Sequence, residues 1–126
     1  MRSYLQFIMV FLGGGLGSCF RYFISKVISS KLETIFPFGT FIVNIIGCFL
    51  IGVFIALIER FQFHPSWTLL LVTGFCGGFT TFSSFSYDNY LVLKNSQYLL
   101  GFVYILMTLF WGLAATFLAI FMIRKF

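Results

Sequence analysis

The most informative stretch of this chain is Thr-Gly-Phe-Cys-Gly-Gly-Phe-Thr-Thr-Phe-Ser-Ser-Phe-Ser, residues 73–86. It lies in the uncharged run 65–87, which is long enough to cross a bilayer, since a spanning helix needs about 20 apolar residues. Three glycines and six hydroxyl residues make this part of the run a weak helix. At membrane depth, irregular backbone is tolerated only where it is buried in protein or lines a cavity. We therefore predict a helix broken near Gly77-Gly78, whose freed carbonyl and N–H groups can bind ions.

The composition around this stretch is that of a membrane protein. The chain has 126 residues, of which 60% are hydrophobic and only 9% are charged, against about 25% charged in a soluble domain. A soluble domain of this size buries only about two-thirds of its surface, so it could not hide this much apolar area. The eight Lys and Arg residues are too scattered for a nucleic-acid-binding stripe. The composition therefore excludes a soluble enzyme and a nucleic-acid partner.

The uncharged runs predict an all-α membrane protein with a single four-helix transmembrane domain over residues 1–126. The four transmembrane helices are predicted near residues 4–28, 36–58, 67–93 and 97–123.

The basic residues do not select one orientation. Four spans place both termini on one side, with Arg2, Arg60, Arg124 and Lys125, while the other side carries Lys26, Lys31 and Lys94. Because topology follows the Lys/Arg bias between the two sides, this near balance leaves two alternatives open. Either the chain inserts both ways up and pairs with an inverted copy, or one orientation dominates weakly.

Two polar side chains lie inside the first and second spans, where such groups are functional-site hypotheses by default. Arg21 is interpreted as a fixed charge facing an aqueous vestibule, and the alternative is an arginine that snorkels to the interface. Asn44 shares a helix face with Thr40, four residues earlier. Its amide N–H groups can replace part of an anion's hydration shell, although an interhelical hydrogen bond is the alternative.

The third span adds an aromatic and hydroxyl surface. Phe82 and Phe85 are three residues apart and project from one face, and aromatic ring edges are positive. Hydroxyl groups line the adjoining stripe, so a small anion could be wrapped without a trapping charge: Thr80, Thr81, Ser83 and Ser84. The alternatives are lipid-facing phenylalanines and hydroxyls bonded to their own helix. In the fourth span, Tyr104 and Thr108 share a face and extend the polar track.

No motif supports catalysis, so the chain is predicted not to be an enzyme. No serine has a neighbouring base, no Cys/His pair has metal-ligand spacing, and there is no phosphate-binding loop. A proton-coupled transporter usually buries an acid at depth, and none is evident here.

The motifs resemble the bacterial fluoride channels, the CrcB or Fluc family, over essentially the whole chain. Three motifs carry the resemblance: Gly13-Gly14-Gly15-x-Gly17-x-x-x-Arg21-Tyr22, Pro37-x-Gly39-Thr40-x-x-x-Asn44-x-x-Gly47, and Gly74-Phe75-Cys76-Gly77-Gly78-x-Thr80-Thr81-Phe82-Ser83-Ser84-Phe85-Ser86. The resemblance implies a dual-topology, antiparallel homodimer in the bacterial cytoplasmic (inner) membrane. It implies two pores that export fluoride passively and so relieve its toxicity.

The resemblance also assigns roles to residues. It implies that Asn44 is the pore amide and that Phe82 and Phe85 contact fluoride through their ring edges. Ser83, Ser84 and Tyr104 would be further fluoride contacts. A structural sodium ion, which is not transported, would be held at the dimer centre by backbone carbonyls of Gly77 and Thr80.

Two other classes compete with this reading. A dual-topology small multidrug exporter needs a glutamate in its first span, where this chain has Arg21 and no acid. A non-transporting assembly subunit would explain the glycines but not a hydroxyl and phenylalanine face beside them.

Overall fold

The computed structural model describes residues 2–126, and this range contains helices and short connectors without β-strands. The elements are α1 (Ser3–Lys31), α2 (Phe38–Phe61), a π-helical segment (Thr68–Cys76), α3 (Gly77–Phe79), α4 (Phe82–Lys94) and α5 (Tyr98–Lys125). Four helical stretches are long and apolar enough to cross a membrane: Ser3–Lys31, Phe38–Phe61, Thr68–Lys94 and Tyr98–Lys125. The prediction of four spans is confirmed, although the first helix ends at Lys31 and not near residue 28.

Glycines let α1 pack directly on the backbone of the third span. A Cβ atom on Gly17 would lie 2.9 Å from the Phe79 nitrogen, and one on Gly78 would lie 2.9 Å from the Gly14 Cα. Backbones come this close only where no side chain lies between them, which is how small residues join helices in membranes. The glycines of the first and third spans therefore form one continuous packing seam.

A second seam joins α2 to α5. Gly52 packs against Thr116, and the Thr116 hydroxyl donates a 2.8 Å hydrogen bond to the Cys48 carbonyl. At the end of these helices, Arg60 donates to the backbone oxygens of Ile123 and Phe126, both at 2.8 Å. These bonds satisfy carbonyls that the last turn of a helix leaves without partners.

Two residues with extended backbone separate α3 from α4. Thr80 has φ −79° and ψ 152°, and Thr81 has φ −148° and ψ 119°. Gly77 is helical, with φ −62° and ψ −35°, and α3 includes Gly78. The predicted position of the helix break, at Gly77-Gly78, was therefore wrong. The helix continues through both glycines because Gly78 is needed for contact with Gly14, and the extended backbone starts where side chains can bond its peptide groups.

Candidate functional site

The Asn44 amide binds the extended backbone of Thr81. Its Nδ2 donates to the Thr81 carbonyl at 3.1 Å, and its Oδ1 accepts from the Thr81 N–H at 2.8 Å. Asn44 is buried in α2, and its side chain bonds both peptide groups of Thr81, of which the N–H has no helical partner. One of the two amide N–H donors is used in this way, which leaves the second for a ligand.

Because of these hydrogen bonds, two carbonyl groups at the extended segment between α3 and α4 have no helical N–H partner. In a continuous α-helix, the Thr81 N–H would bond the Gly77 carbonyl, but here it donates to Asn44. The Ser84 N–H would likewise bond the Thr80 carbonyl, but it donates to the Thr81 hydroxyl at 3.1 Å as a helix N-cap. Gly77 and Thr80, the two predicted sodium ligands, are thus the residues whose carbonyls lose these helical partners.

The intervening Gly78 carbonyl is occupied by side chains from α1. Arg21 Nε donates to it at 3.0 Å, and the Ser18 hydroxyl lies 3.4 Å from it. The Arg21 Nε is therefore bonded to the third span, while the rest of the guanidinium remains close to a neighbouring cavity.

A polar cavity of about 250 Å³, which we call the vestibule, lies between α1, α2 and the start of α4. Its lining residues are Arg21, Tyr22, Ser25, Lys26, Ser29, Thr40, Val43, Thr81 and Ser84. The predicted residues Arg21, Thr40, Thr81 and Ser84 come together here. The sequence reasoning missed Ser25 and Ser29. These two residues follow Arg21 at successive intervals of four, which places all three on one helix face.

A second cavity, of about 310 Å³, lies on the other side of the extended segment, and we call it the inner cavity. It is lined by Asn44, Cys48, Thr80, Thr81, Phe82, Phe85, Thr108, Leu109, Gly112, Leu113 and Thr116. Thr81 lines both cavities, so the two spaces meet at the residue that Asn44 holds. Asn44 and both predicted phenylalanines face the same space.

The two phenylalanines differ in their surroundings. Their ring centroids are 5.5 Å apart, and the Phe85 ring lies 5.1 Å from the Tyr104 ring. Phe85 is only 9% exposed, whereas Phe82 is 77% exposed on the surface of the chain. Phe85 therefore belongs to the core of one chain, and Phe82 projects beside the inner cavity without cover from its own chain.

Some buried oxygen atoms have no hydrogen-bond partner. Among the described residues, these atoms include the Tyr104 hydroxyl, the Thr108 hydroxyl and one carboxylate oxygen of Asp88. Leaving a buried polar group unsatisfied costs about 1–3 kcal/mol. The Thr108 hydroxyl lines the inner cavity and is an unused donor there, whereas Tyr104 is in contact with the Phe85 ring.

Ser83 and the exposed Gly77 line neither cavity. The Ser83 hydroxyl lies 3.1 Å from the Thr81 hydroxyl, at the exposed surface. Within residues 2–126, no group of three or more His, Cys, Asp and Glu side chains has the arrangement of a metal site. A metal ion bound in this part of the chain would therefore have to use backbone or hydroxyl oxygens.

The chain is similar to known proteins over most of its length. Residues 8–120 match the family described as CrcB-like protein, Camphor Resistance (CrcB). A protein of Gloeothece citriformis named "Fluoride-specific ion channel FluC" is 55% identical over 121 residues, which are 96% of this chain and 98% of that protein.

Two further proteins carry the same name. One, from Flavobacterium psychrophilum, is 47% identical over 83% of this chain and 86% of its own length. Another, from Leptospira interrogans, is 42% identical over 94% of each chain. These relatives are ion channels and not enzymes, in agreement with the prediction that this chain is not an enzyme. The match over most of the chain shows that this four-span membrane protein belongs to the CrcB family.

Proposed function

We propose that this protein is a fluoride-selective passive channel that exports cytoplasmic fluoride. One observation of the structure carries the proposal. Thr81, held by Asn44, borders both a vestibule lined by Arg21 and an inner cavity lined by Phe82 and Phe85. The names of the related proteins indicate fluoride as the ion.

The lining residues suit an anion that holds its water tightly. In the vestibule, the charge of Arg21 attracts the ion, and hydroxyl groups of Thr40 and Ser84 can replace water molecules. Next to Thr81, the free N–H of Asn44 and the positive ring edges of the phenylalanines then contact the anion in place of water. Selectivity then arises from the number of donors and the width of the path, as in other channels.

No energy source is required for export. A membrane potential that is negative inside drives an anion outwards by about 2.3 kcal/mol per 100 mV. The residues that line the two cavities carry no carboxylate, so proton coupling has no acid there.

We further propose that the functional unit is an antiparallel homodimer with two pores, embedded in lipid of the bacterial cytoplasmic (inner) membrane. The exposed Phe82 beside an incomplete cavity supports a partner that covers it. The near balance of basic residues on the two sides supports insertion in both orientations. Each pore would then be lined by residues of both copies.

The sodium ion is part of this proposal. The carbonyls of Gly77 and Thr80 fit it, because they are hard oxygen ligands that have lost their helical N–H partners. Gly77 is exposed, so its carbonyl is accessible to a second copy. A bound sodium ion would supply positive charge that links the two copies, and it would not be transported.

Liposome efflux tests the channel itself. The purified protein is reconstituted in vesicles loaded with fluoride or chloride, and a potassium ionophore balances the charge. We expect rapid fluoride release while chloride is retained. If dimeric, helical protein releases neither ion, the channel proposal is wrong and a non-transporting assembly subunit becomes the better explanation.

The sodium site is tested separately by the mass of the complex in detergent. We expect a dimer in sodium and partial dissociation when N-methylglucamine replaces sodium. A dimer that is equally stable in both solutions would contradict the sodium site without affecting the channel proposal.

A further inference from the structure

The vestibule contains a second cation, Lys26, that the motifs did not identify. It lines the same cavity as Arg21, together with the hydroxyl residues Ser25 and Ser29. Lys26 lies five residues after Arg21 on α1, which is about 7.5 Å further along the helix towards its end at Lys31. One cation therefore lies deeper in the vestibule, and the other lies nearer its mouth.

The two cations are held differently. Arg21 is partly buried, and its Nε is bonded to the Gly78 carbonyl. Lys26 is exposed, and its ammonium lies 5.6 Å from the centre of the Tyr22 ring, within the range of a cation–π contact. Tyr22 also lines the vestibule, so this contact places the ammonium beside the cavity.

Lys26 forms no ion pair with the lining residues of the vestibule, none of which carries a carboxylate. The Asp88 carboxylate of α4 interacts with Thr40 in the wall of the vestibule. A cleft lined by charge of one sign concentrates ions of the opposite sign and raises their rate of entry. Salt weakens this effect, because the screening length falls from about 30 Å at 0.01 M to about 10 Å at 0.1 M.

We propose that Lys26 is the recruiting cation of the pore: it concentrates fluoride at the mouth of the vestibule and passes it to the deeper Arg21 and the surrounding hydroxyls. This inference rests on the proposed channel function and assigns a residue that limits entry at low fluoride. Lys26 contacts the ion only at the entrance, so it sets the rate of entry and not the selectivity.

A charge series at Lys26 tests this proposal. Single-channel fluoride currents are recorded in planar bilayers of neutral phosphatidylcholine, which removes anionic headgroups as competing ligands. Fluoride and sodium are held constant while an impermeant salt raises the ionic strength from about 0.01 M to about 0.5 M. The proteins compared are wild type, Lys26→Arg, Lys26→Gln and Lys26→Glu.

We expect Lys26→Arg to conduct like wild type at low ionic strength. Lys26→Gln should lose about threefold of the current and Lys26→Glu about tenfold, as expected for a unit charge about 7 Å from the ion. At high ionic strength the four currents should converge to within about twofold. The Gln and Glu variants share one Lys/Arg count, and acidic residues contribute little to topology, so orientation does not explain a difference between them.

Lys31→Gln is the matched control. Lys31 lies on the same helix, is exposed and is not among the vestibule residues, so its removal changes the net charge equally. At low ionic strength we expect it to lose less than about twofold of the current, because its charge lies further from the vestibule than that of Lys26. At high ionic strength we expect no loss. An equal loss in Lys31→Gln, a loss in Lys26→Arg, or unchanged current in Lys26→Glu would each overturn the recruiting role. A wild-type protein without fluoride current would instead contradict the channel function.

Discussion

Asn44 performs two tasks with one side chain. Its amide bonds both peptide groups of Thr81, and the residue also lines the inner cavity. An interhelical hydrogen bond and a pore amide were alternatives for this residue. The structure supplies the hydrogen bonds, and the pore role remains a prediction that mutation can test.

Asn44→Asp should reduce fluoride efflux by at least about a hundredfold, or about 2.8 kcal/mol at 1.4 kcal/mol per factor of ten. The carboxylate cannot donate to the Thr81 carbonyl, and it repels an approaching anion. Efflux is measured from vesicles, and circular dichroism and light scattering verify a folded dimer. Asn95→Asp, at an exposed amide bonded to the Leu91 carbonyl, is the control and should retain full efflux. Efflux of Asn44→Asp within tenfold of wild type would exclude the amide from the pore.

Phe82→Leu should lower fluoride efflux at least about tenfold, or about 1.4 kcal/mol, while the dimer remains intact. The Phe82 ring is exposed in the single chain, so a smaller side chain leaves the core of that chain closed and shortens the reach towards the proposed anion path. Phe102→Leu, at another exposed phenylalanine, is the control, and its efflux should not change. Loss of the dimer in Phe82→Leu would indicate a packing role for this ring.

At the scale of elements, the third span is shaped by its neighbours. The start of the span packs on α1 through glycine, α2 provides Asn44 to the extended segment, and Thr81 caps α4. The π-helical segment Thr68–Cys76 precedes this region, and π-helical turns often mark functional sites. The extended segment is therefore supported from two sides and is a fixed part of the fold.

Gly17→Ala tests the seam between α1 and the third span. The new methyl group would contact the backbone of Phe75 and Phe79, which cannot move aside as a flexible side chain can. We expect a loss of about 1–3 kcal/mol of stability, measured as a lower unfolding temperature in detergent. Gly15→Ala, on the same helix with no atom within 4 Å of the new Cβ, should not lower it. An unchanged unfolding temperature for Gly17→Ala would contradict the close packing.

For the whole molecule, the seven basic residues near the span ends set the orientation in the membrane. Arg60 and Arg124 also have structural partners, since Arg60 bonds the end of α5 and Arg124 pairs with Glu59 at 2.9 Å. The remaining basic residues at the span ends can be changed with less effect on folding. Charge balance can thus be altered without disturbing these contacts.

Replacing Lys31 and Lys94 with Gln should fix a single orientation, because four basic residues then oppose Lys26 alone. A tag on the C-terminal residue reports its side of the membrane. Antiparallel pairing and fluoride efflux should disappear together, and co-expression with a copy of opposite bias should restore both. Full efflux from a protein with one proven orientation would contradict the antiparallel dimer.

The class of the protein and its polar residues at membrane depth follow from the amino-acid sequence alone. Four uncharged runs identify the spans, and within them Arg21, Asn44 and the hydroxyl run of the third span are visible without any structure. This information is local, because a polar residue in an apolar run is recognisable from its neighbours in sequence. The motif resemblance then indicated the family, which the comparisons confirm.

The contacts between residues that are distant in sequence are visible only in the folded chain. Asn44 binds Thr81 across 37 positions, and Arg21 binds Gly78 across 57, so no local pattern predicts either contact. The extended segment lies at Thr80–Thr81 and not at the glycines, since contacts with α1 and α2 determine which residues stay helical. Helices that are apolar on every side show little periodicity, so the face that lines a cavity is hidden in the sequence. That is why Ser25, Lys26 and Ser29 became visible only when the helices were packed together.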